Sequence, residues 1–370
     1  MANTLVIGGI IAAIIGLLTI GLPWVLAECF PVQLLWKQRS GRPTVRTASY
    51  AGRTAMVTGA NGAYGSRAAT LFAQHGVSTL ILVDVFDCAG VQKQIEEDLR
   101  AQGKPVPKIL VWQIDMMSFA GCQKLATLAS SLKNLDHLLL TAGILAFHRR
   151  ESPEGWETSV QVNFLSTALI ALLLLPKLKA SPGNPEPPVL TFVTSFGIYP
   201  SSPTMGLPSS KDASYIRRLS TNRDGMEQAH QYGRSKGLLL YFARELAART
   251  ARAAQDGRLD RPVTITSADP GSAWTPLTNP NQGKLIPRLI MNISARDPIY
   301  GAAALVNGAS APASANGQIM HDFDTAPYPP FMNRAKGRVA QQRVWDEARA
   351  EFEAKVPEVA AVYAKLEETK

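Results

Sequence analysis

Tyr232 and Lys236 are the residues whose types and spacing most directly suggest chemistry. They stand four positions apart in the string YGRSK, and no other tyrosine of the chain has a lysine four residues on. On a helix this spacing places the two side chains one turn apart. A lysine cation at that position favours the phenolate and lowers the tyrosine pKa from ~10 toward the working pH. The pair therefore predicts a general acid/base that exchanges a proton with a substrate oxygen.

Ser195 could supply the second polar group that this chemistry needs. It ends the apolar run PVLTFVTS, which is typical of a buried strand, and its hydroxyl could donate a hydrogen bond to the substrate oxygen. Thr194 could take the same role, and Ser195 could instead be a turn residue. Asn163 interrupts the apolar helical pattern VNFLST, where it could also be a packing group. Each residue taken singly leaves these alternatives open.

A glycine-rich turn, TGANGAYG from Thr58 to Gly65, follows the first predicted strand and opens a helical pattern. Gly59 permits the tight turn, whereas Gly62 and Gly65 let the backbone approach a pyrophosphate and let the helix pack closely. The N-terminus of that helix offers N–H groups and a positive dipole end to phosphates. A purely structural glycine turn is the alternative. The other predicted cofactor contacts in this turn are Asn61, Ala63 and Tyr64.

Asp84 ends the second predicted strand, about 20 residues after the turn, which is the usual spacing for a ribose contact. An acidic residue there accepts hydrogen bonds from the adenosine ribose hydroxyls and repels a 2′-phosphate. The cofactor is therefore NAD or NADP, with NAD favoured, although Arg53, Arg67 and Lys93 could still approach a phosphate. Alternatively, Asp84 could cap the following helix.

Bringing these residues together requires a parallel sheet, and the chain has the pattern of one. From Arg53 onward, short β-rich runs alternate with helical periods, notably Trp156–Leu178 and Tyr232–Arg249. This alternation predicts an α/β fold with a doubly wound parallel sheet, the Rossmann fold, whose ligand crevice lies at the carboxyl ends of the strands. The predicted strands are Thr54–Thr58, Ser78–Asp84, Lys108–Asp115, Leu135–Gly143, the run ending at Ser195, Pro262–Gly271 and a last one near Gly317.

Both flanks of this domain, taken as residues 51–333, have a different character. Residues 1–28 include an uncharged apolar stretch long enough to cross a bilayer, and the basic linker 29–50 follows it. The positive-inside rule then predicts a single-pass N-terminal transmembrane anchor, of endoplasmic-reticulum type, with the domain in the cytosol. A cleaved signal peptide, or a lumenal domain glycosylated at Asn292, are the alternatives. Residues 334–370 form a C-terminal helical extension, predicted as exposed amphipathic helices broken at Pro357.

Composition narrows the classes of function. Hydrophobic residues make up 46% of the 370 residues and charged residues 18%, so a packed core is expected. The net charge is +9, but the basic residues are scattered and not interleaved with aromatics, which argues against nucleic-acid binding. Three widely spaced cysteines argue against a disulfide framework and favour a reducing compartment. The cysteines and histidines lack metal-site spacing, so no metal is predicted.

Taken in chain order, these motifs resemble the active site of the short-chain dehydrogenase/reductase family, from Arg53 to Met320. The resemblance implies that Tyr232 is the general acid/base, that Lys236 also bonds the nicotinamide ribose, and that Asn163 holds a proton-relaying water. It also implies cofactor contacts at Asp115 (the adenine amino group), at Ala142 and Gly143, and at Pro270, Gly271 and Thr275 (the carboxamide). Asp115 could instead be a helix N-cap near Ser118.

The chain departs from the family pattern at three places. Ala63 stands where the family has the second glycine of TGxxxGxG, and Leu140 and Thr141 replace two asparagines before Ala142. Ser195 and Tyr232 are farther apart in sequence than in most relatives. The intervening stretch must therefore loop out for the two side chains to meet.

The string around Asn163 looks most like the retinol-dehydrogenase-like branch, whose members act on lipophilic alcohols and carbonyls. The sequence thus predicts a membrane-anchored NAD(P)-dependent oxidoreductase that interconverts a secondary alcohol and a ketone (or aldehyde) on a lipophilic small molecule. A homodimer is a further expectation from the family. The alternative is a catalytically silent cofactor-binding protein with a regulatory or scaffold role at the membrane.

Overall fold

The computed structural model describes residues 37, 39–146, 150–184, 186–201, 203–210, 213–221, 227–277, 288, 291–292 and 294–367. Within them, the strands form one eight-stranded sheet. They are β1 Thr54–Thr58, β2 Thr79–Asp84, β3 Lys108–Gln113, β4 His137–Leu140, β5 Val189–Val193, β6 Thr264–Asp269, β7 Ile319–His321 and β8 Asp324–Ala326. Their order across the sheet is β3-β2-β1-β4-β5-β6-β7-β8; all are parallel except β8, which pairs antiparallel with β7.

Helices connect the consecutive strands from β1 to β7 and cover both faces of the sheet, whereas β7 and β8 are joined by a short turn. They are α1 Ala63–Gln74, α2 Ala89–Ala101, α3 Phe119–Ala129, α4 Thr158–Lys177, α5 Tyr215–Thr221, α6 Glu227–Gln255, α7 Pro298–Gly308, α8 Pro330–Asn333, α9 Ala335–Lys355 and α10 Ala360–Leu366. Short 3₁₀ turns occupy Phe196–Ser201, Pro203–Gly206, Ala313–Ala315 and Pro357–Val359.

The strands are apolar because both of their faces are buried. Along β1, Met56 joins the core formed by α3, α4 and α6, whereas its neighbours Ala55 and Val57 join the core formed by α1, α2 and α7. A strand that alternates between two buried faces reads as a continuous hydrophobic run, as these do. The predicted doubly wound parallel sheet is therefore confirmed, and the order of its strands reverses between β1 and β4.

Several predicted strand ends were too long. β3 ends at Gln113, so Asp115 lies beyond the strand, and β5 ends at Val193, so Ser195 also follows its strand. The reason is general: residues that pass into a ligand-binding loop keep the apolar character of the strand after the backbone hydrogen bonds have stopped. β8 was not predicted, because three residues carry too little periodicity to register.

Helix α4 is the most apolar element among the described residues. It is long and apolar enough to span a membrane, yet 94% of its most apolar window is buried inside the protein. Its middle, Gln161–Ser166, is a π-helical turn that carries Asn163. Such turns are frequent at functional sites because they change the direction of one side chain.

The described part of the predicted linker, residues 39–50, packs on the domain. The Asn307 side chain of α7 accepts a hydrogen bond from Arg46 N (2.9 Å) and donates one to Thr44 O (2.9 Å). The Tyr50 hydroxyl bonds Ser310 at 2.5 Å, and its ring is fully buried against Phe72. These residues therefore form a strap along the fold. The predicted anchor, residues 1–28, lies outside the described residues.

The C-terminal helices are not the exposed extension that was predicted. α9 ends at Lys355 and a 3₁₀ turn begins at Pro357, as the sequence indicated. However, Trp345 of α9 is fully buried and stacks on Phe242 of α6, with ring centroids 5.2 Å apart. The many charged residues of α9 suggested an exposed helix, but its apolar face packs on the domain and completes the core.

Candidate active site

A cleft of about 710 Å³ opens at the carboxyl ends of β1 to β4. Ligand-binding pockets commonly have ~300–1,000 Å³ and lie at this edge of a doubly wound sheet. Of the residues predicted to contact a cofactor, the cleft is lined by Gly59, Asn61, Gly62, Ala63, Tyr64, Gly65, Asp84, Asp115, Ala142, Gly143 and Thr275. Arg150, Thr158 and Val162 also line it and were not predicted, because nothing distinguishes them in the sequence.

The glycine-rich turn leaves no room for side chains at two of its positions. Gly59 has φ = +67°, and a Cβ there would lie 2.8 Å from Ala142 Cα. A Cβ on Gly65 would collide with the main-chain oxygen of Gly59. Gly62 precedes α1, and no side chain caps that helix. The first N–H groups of α1 therefore border the cleft, where they can bind an anion such as a pyrophosphate.

Asp84 is held by the turn that it faces. Its Oδ2 accepts a hydrogen bond from Asn61 N (2.9 Å), and its Oδ1 accepts one from Phe86 N (3.2 Å). The alternative role as a helix cap is wrong, because α2 begins at Ala89 with Cys88 at the cap position. The carboxylate instead fixes the turn and lines the cleft.

Asp115 also lines the cleft and does not cap a helix. Its Oδ1 accepts a hydrogen bond from Met117 N at 2.8 Å. The cap of α3 is Ser118, whose hydroxyl accepts from Gly121 N at 3.2 Å. The exposed Asp115 carboxylate thus keeps an oxygen available at the edge of the cleft.

Ser195 and Tyr232 meet although 36 residues separate them in the chain. Their side chains form a hydrogen bond, and Ser195 Oγ also accepts from Gly197 N at 3.1 Å. Thr194, the rival for this role, has a hydroxyl without a hydrogen-bond partner among the described residues. The described residues between Ser195 and Tyr232 form two 3₁₀ turns, α5 and the start of α6, and this path brings the two side chains together.

Burial raises the pKa of Tyr232 to about 12; the Ser195 hydrogen bond opposes this shift and the Asp269 carboxylate adds to it. The sequence argument expected the opposite direction, from a nearby Lys236 cation. Here Lys236 Nζ donates to Val193 O at 2.8 Å, and burial lowers its own pKa to about 8. Desolvation by burial is therefore the largest influence on the pKa of both groups in this structure.

Asn163 lies beside Lys236. Its Oδ1 accepts from Ile144 N (2.8 Å), and its Nδ2 donates to Ile144 O (2.9 Å) and Ser235 Oγ (3.0 Å). A Cβ built on Gly143 would lie 3.3 Å from both Asn163 Oδ1 and Lys236 Nζ. Glycine at this position therefore lets the floor of the cleft approach both polar groups.

The turn after β6 is tied to both sides of the site. Tyr64 Oη donates to Gly271 O (2.8 Å), and the buried Arg296 donates to Pro270 O (2.9 Å) and pairs with Asp322 at 2.7 Å. Nothing in the sequence distinguished Arg296. Asp269, directly before this turn, could have been found: it is an acidic residue ending the otherwise neutral buried run TITSAD.

Apart from Pro270 and Gly271, which form the turn after β6, the predicted site residues fall into two groups that approach each other at Gly143. One group lines the cleft. The other consists of Ser195, Tyr232, Lys236 and Asn163, which meet where β5, α4 and α6 converge. Among the described residues there is no cluster of three or more potential metal ligands. The arrangement can bind a dinucleotide and move a proton at a substrate oxygen.

A family model and known sequences similar to this chain point to the same protein family. A family model described as short chain dehydrogenase matches residues 53–186. The chain is 30% identical to the short chain dehydrogenase resG of Aspergillus sclerotiorum, over 84% of this chain and 86% of that protein. It is 34% identical to the short-chain dehydrogenase/reductase ffsI of Aspergillus flavipes, over 58% of this chain and 62% of that protein.

Solved structures share the fold. The RhlG/NADP active-site complex of Pseudomonas aeruginosa superimposes with a TM-score of 0.51 and 22% identity, over 74% of this chain and 95% of that one. At this level of identity the likeness shows the fold alone.

Proposed function

The chain belongs to the short-chain dehydrogenase/reductase family, and on that premise we propose that it is an NAD(P)-dependent oxidoreductase. It interconverts an alcohol and the corresponding carbonyl compound: a secondary alcohol where the carbonyl is a ketone, a primary one where it is an aldehyde. The observation that carries this proposal is the hydrogen bond between Ser195 and Tyr232, formed across 36 residues of sequence. Lys236 and Asn163, of the same group, reach the dinucleotide-sized cleft at Gly143.

The cleft fits a nicotinamide dinucleotide. The glycine turn, with no space for a Cβ at Gly59 or Gly65, would hold the pyrophosphate against α1, and Asp84 and Asp115 would receive the adenosine half. Thr275 in the cleft wall, with the turn at Pro270 and Gly271 that Tyr64 fixes, would hold the nicotinamide half. When bound, the cofactor supplies or accepts the hydride.

The chain's own residues manage the proton. Ser195 donates a hydrogen bond to the substrate oxygen and holds that oxygen beside the Tyr232 hydroxyl. Tyr232 gives its proton to the oxygen in reduction and takes it back in oxidation. Lys236 donates to Val193 O in this structure. In its proposed role it would leave that oxygen and face the Tyr232 hydroxyl as a cation, which would lower the pKa of Tyr232 from the value of about 12 that burial gives it. Asn163 Oδ1 and Lys236 Nζ both lie next to Gly143, and Asn163 would hold there the water that relays protons to Lys236.

We further propose NAD as the favoured cofactor, because the Asp84 carboxylate is fixed at the cleft by Asn61 and Phe86. A lipophilic substrate is supported by apolar residues at the loops after β5 and β6. Those predicted from the sequence are Met205, Leu207, Trp274, Leu277 and Ile286; Leu277 lines the cleft, and Ile286 lies outside the described residues. The names of fungal relatives do not state a substrate.

The membrane anchor and the retinol-dehydrogenase-like branch stay proposals. They are supported by the uncharged apolar stretch within residues 1–28 and by the basic residues after it. An anchored domain in the cytosol would meet a lipophilic substrate partitioned into the bilayer.

The test uses the full-length protein in detergent. It is titrated with NADH and with NADPH by nicotinamide fluorescence and then assayed against a panel of lipophilic secondary alcohols and ketones. Binding with turnover supports the proposal. Binding without turnover across the panel would favour the cofactor-binding scaffold, and failure of a folded sample to bind either cofactor would overturn the oxidoreductase assignment.

A further inference from the structure

A second, much smaller cavity lies against Ser195 and shares no lining residue with the cleft. Its volume is about 10 Å³, which is close to the ~10–15 Å³ that one water molecule requires. Five of its lining side chains are apolar. The polar ones are Thr194, Ser195, Tyr199, Asp269 and His321. The cavity is therefore too small for a substrate group but has the polarity of a water site.

Two of these polar groups lack a partner. Thr194 Oγ1 and His321 Nε2 are buried, at 5% and 2% residue exposure, and neither has a hydrogen-bond partner among the described residues. Buried polar atoms in folded proteins are almost always bonded to protein or to ordered water. A single water in this cavity would satisfy both atoms, since a buried water makes two to four hydrogen bonds.

The cavity is also connected to the proposed chemistry. Ser195, in its wall, is hydrogen-bonded to Tyr232, and the Asp269 carboxylate raises the pKa of Tyr232 and of Tyr199 after the larger effect of burial. Asp269 is fixed in place because its Oδ1 accepts from Gly271 N at 2.9 Å. A change of charge or protonation in this cavity therefore changes the pKa of Tyr232.

His321 lies among several charges. Burial lowers its pKa, as do Arg296 and Lys37, whereas Asp269 and Asp322 raise it. Asp324 on β8 also interacts with it. Burial prevails, so the imidazole is neutral near pH 7 and can both donate and accept a hydrogen bond.

We propose that this cavity holds one ordered water bonded to Thr194, Asp269 and His321, and that Asp269 and His321 are positioning residues that set the protonation of the Ser195–Tyr232 pair through it. A fourth hydrogen bond, to Ser195 Oγ in the wall of the same cavity, would connect this water to the Tyr232–Ser195 pair. Only protons move in this proposal. A proton that leaves one hydroxyl, imidazole or water of the chain is taken up by the neighbouring one, so only O–H and N–H bonds form and break. The second half of this proposal rests on the proposed function; the water site itself does not.

The water site is tested by stability alone. If the water is present, Thr194→Val removes one of its ligands, and the melting temperature falls by about 2 °C. Thr194→Ser, which keeps the hydroxyl, should recover most of that loss. If the cavity is dry, Val replaces an unsatisfied hydroxyl, so a melting temperature equal to or above that of the wild type would overturn the site.

The effect on Tyr232 is tested by a pH profile. Asp269→Asn keeps an oxygen that can accept from Gly271 N but removes the charge, so the rising limb of kcat/KM for alcohol oxidation should move to lower pH by about one unit. Asp297→Asn is the control, because it removes the same charge while asparagine still caps α7. An active Asp269→Asn enzyme with an unmoved limb would overturn the coupling and leave the oxidoreductase intact. Absence of all turnover in the wild type would instead count against the proposed function.

Discussion

Lys236 Nζ donates a hydrogen bond to the main-chain oxygen of Val193, 2.8 Å away, and so ties helix α6 to the strand that leads into Ser195. The ammonium group is buried, at 2% residue exposure. One contact therefore holds two catalytic candidates in register and places a charge where water does not solvate it.

Because this charge is buried, we expect Lys236→Met to abolish activity without lowering the stability of the fold. The variant should lose turnover yet melt at pH 7 no lower than the wild type, because methionine carries no charge to desolvate. In the wild type, the unfolded state binds more protons between the folded pKa of about 8 and the unfolded value of 10.5, so stability rises with pH across that window. Urea unfolding from pH 7 to 10.5 measures both effects, and an identical rise in Lys236→Met would contradict the assignment.

Tyr232→Phe removes the proposed proton donor. We expect kcat/KM to fall by roughly 10²–10⁴-fold, with the cofactor Kd little changed. Tyr241→Phe is the matched control: it lies on the same helix, and its hydroxyl has no hydrogen-bond partner among the described residues. Steady-state assays and fluorescence titration check both variants. Full activity in Tyr232→Phe would favour the scaffold role.

Asp84→Asn tests cofactor choice. The substitution removes the charge that repels a 2′-phosphate but keeps an acceptor for Asn61 N. The affinity for NADPH, relative to that for NADH, should therefore rise about tenfold. Asp115→Asn removes an equal charge at the same cleft and should leave the NADH/NADPH ratio near that of the wild type. A wild-type protein that already prefers NADPH would refute the role of Asp84.

Because His137 is buried and neutral, we expect the protein to lose stability in mild acid. This histidine is the buried first residue of β4, its Nδ1 lies 2.7 Å from Ala309 O, and burial lowers its pKa to about 4. The unfolded state therefore binds an extra proton between about pH 6.5 and pH 4, and stability falls as the pH falls through that range. Gln in place of His137 should flatten this part of the curve. Thermal unfolding at half-unit pH intervals measures the slope, which would be unchanged if His137 were already charged.

The packing of the C-terminal helices on α6 leads us to expect a monomer. The family expectation is a dimer through the helices that bear Asn163 and Tyr232, here α4 and α6. Trp345 of α9 stacks on Phe242 of α6 and thereby covers part of that surface. We expect a monomer by sedimentation of the detergent-solubilised chain, whereas a dimer that Trp345→Ala dissociates would show that α9 builds an interface instead.

Local patterns in the sequence were enough to predict the sheet, the glycine turn and the identity of the polar residues in the site. Each of these depends on contacts between near neighbours: the run of Thr54–Thr58, the spacing from Gly59 to Gly65, and the single helical turn from Tyr232 to Lys236. Period and spacing encode such features directly.

Other features were decided only by the tertiary structure. The contact of Tyr232 with Ser195, the strap bonded to Asn307 and the burial of Arg296 depend on which distant segments come into contact. The direction of the Tyr232 pKa shift belongs to the same class. A sequence shows that a lysine is one turn away, but desolvation depends on everything that surrounds the hydroxyl, and those surroundings are assembled from β5, β6 and α6 only when the chain folds.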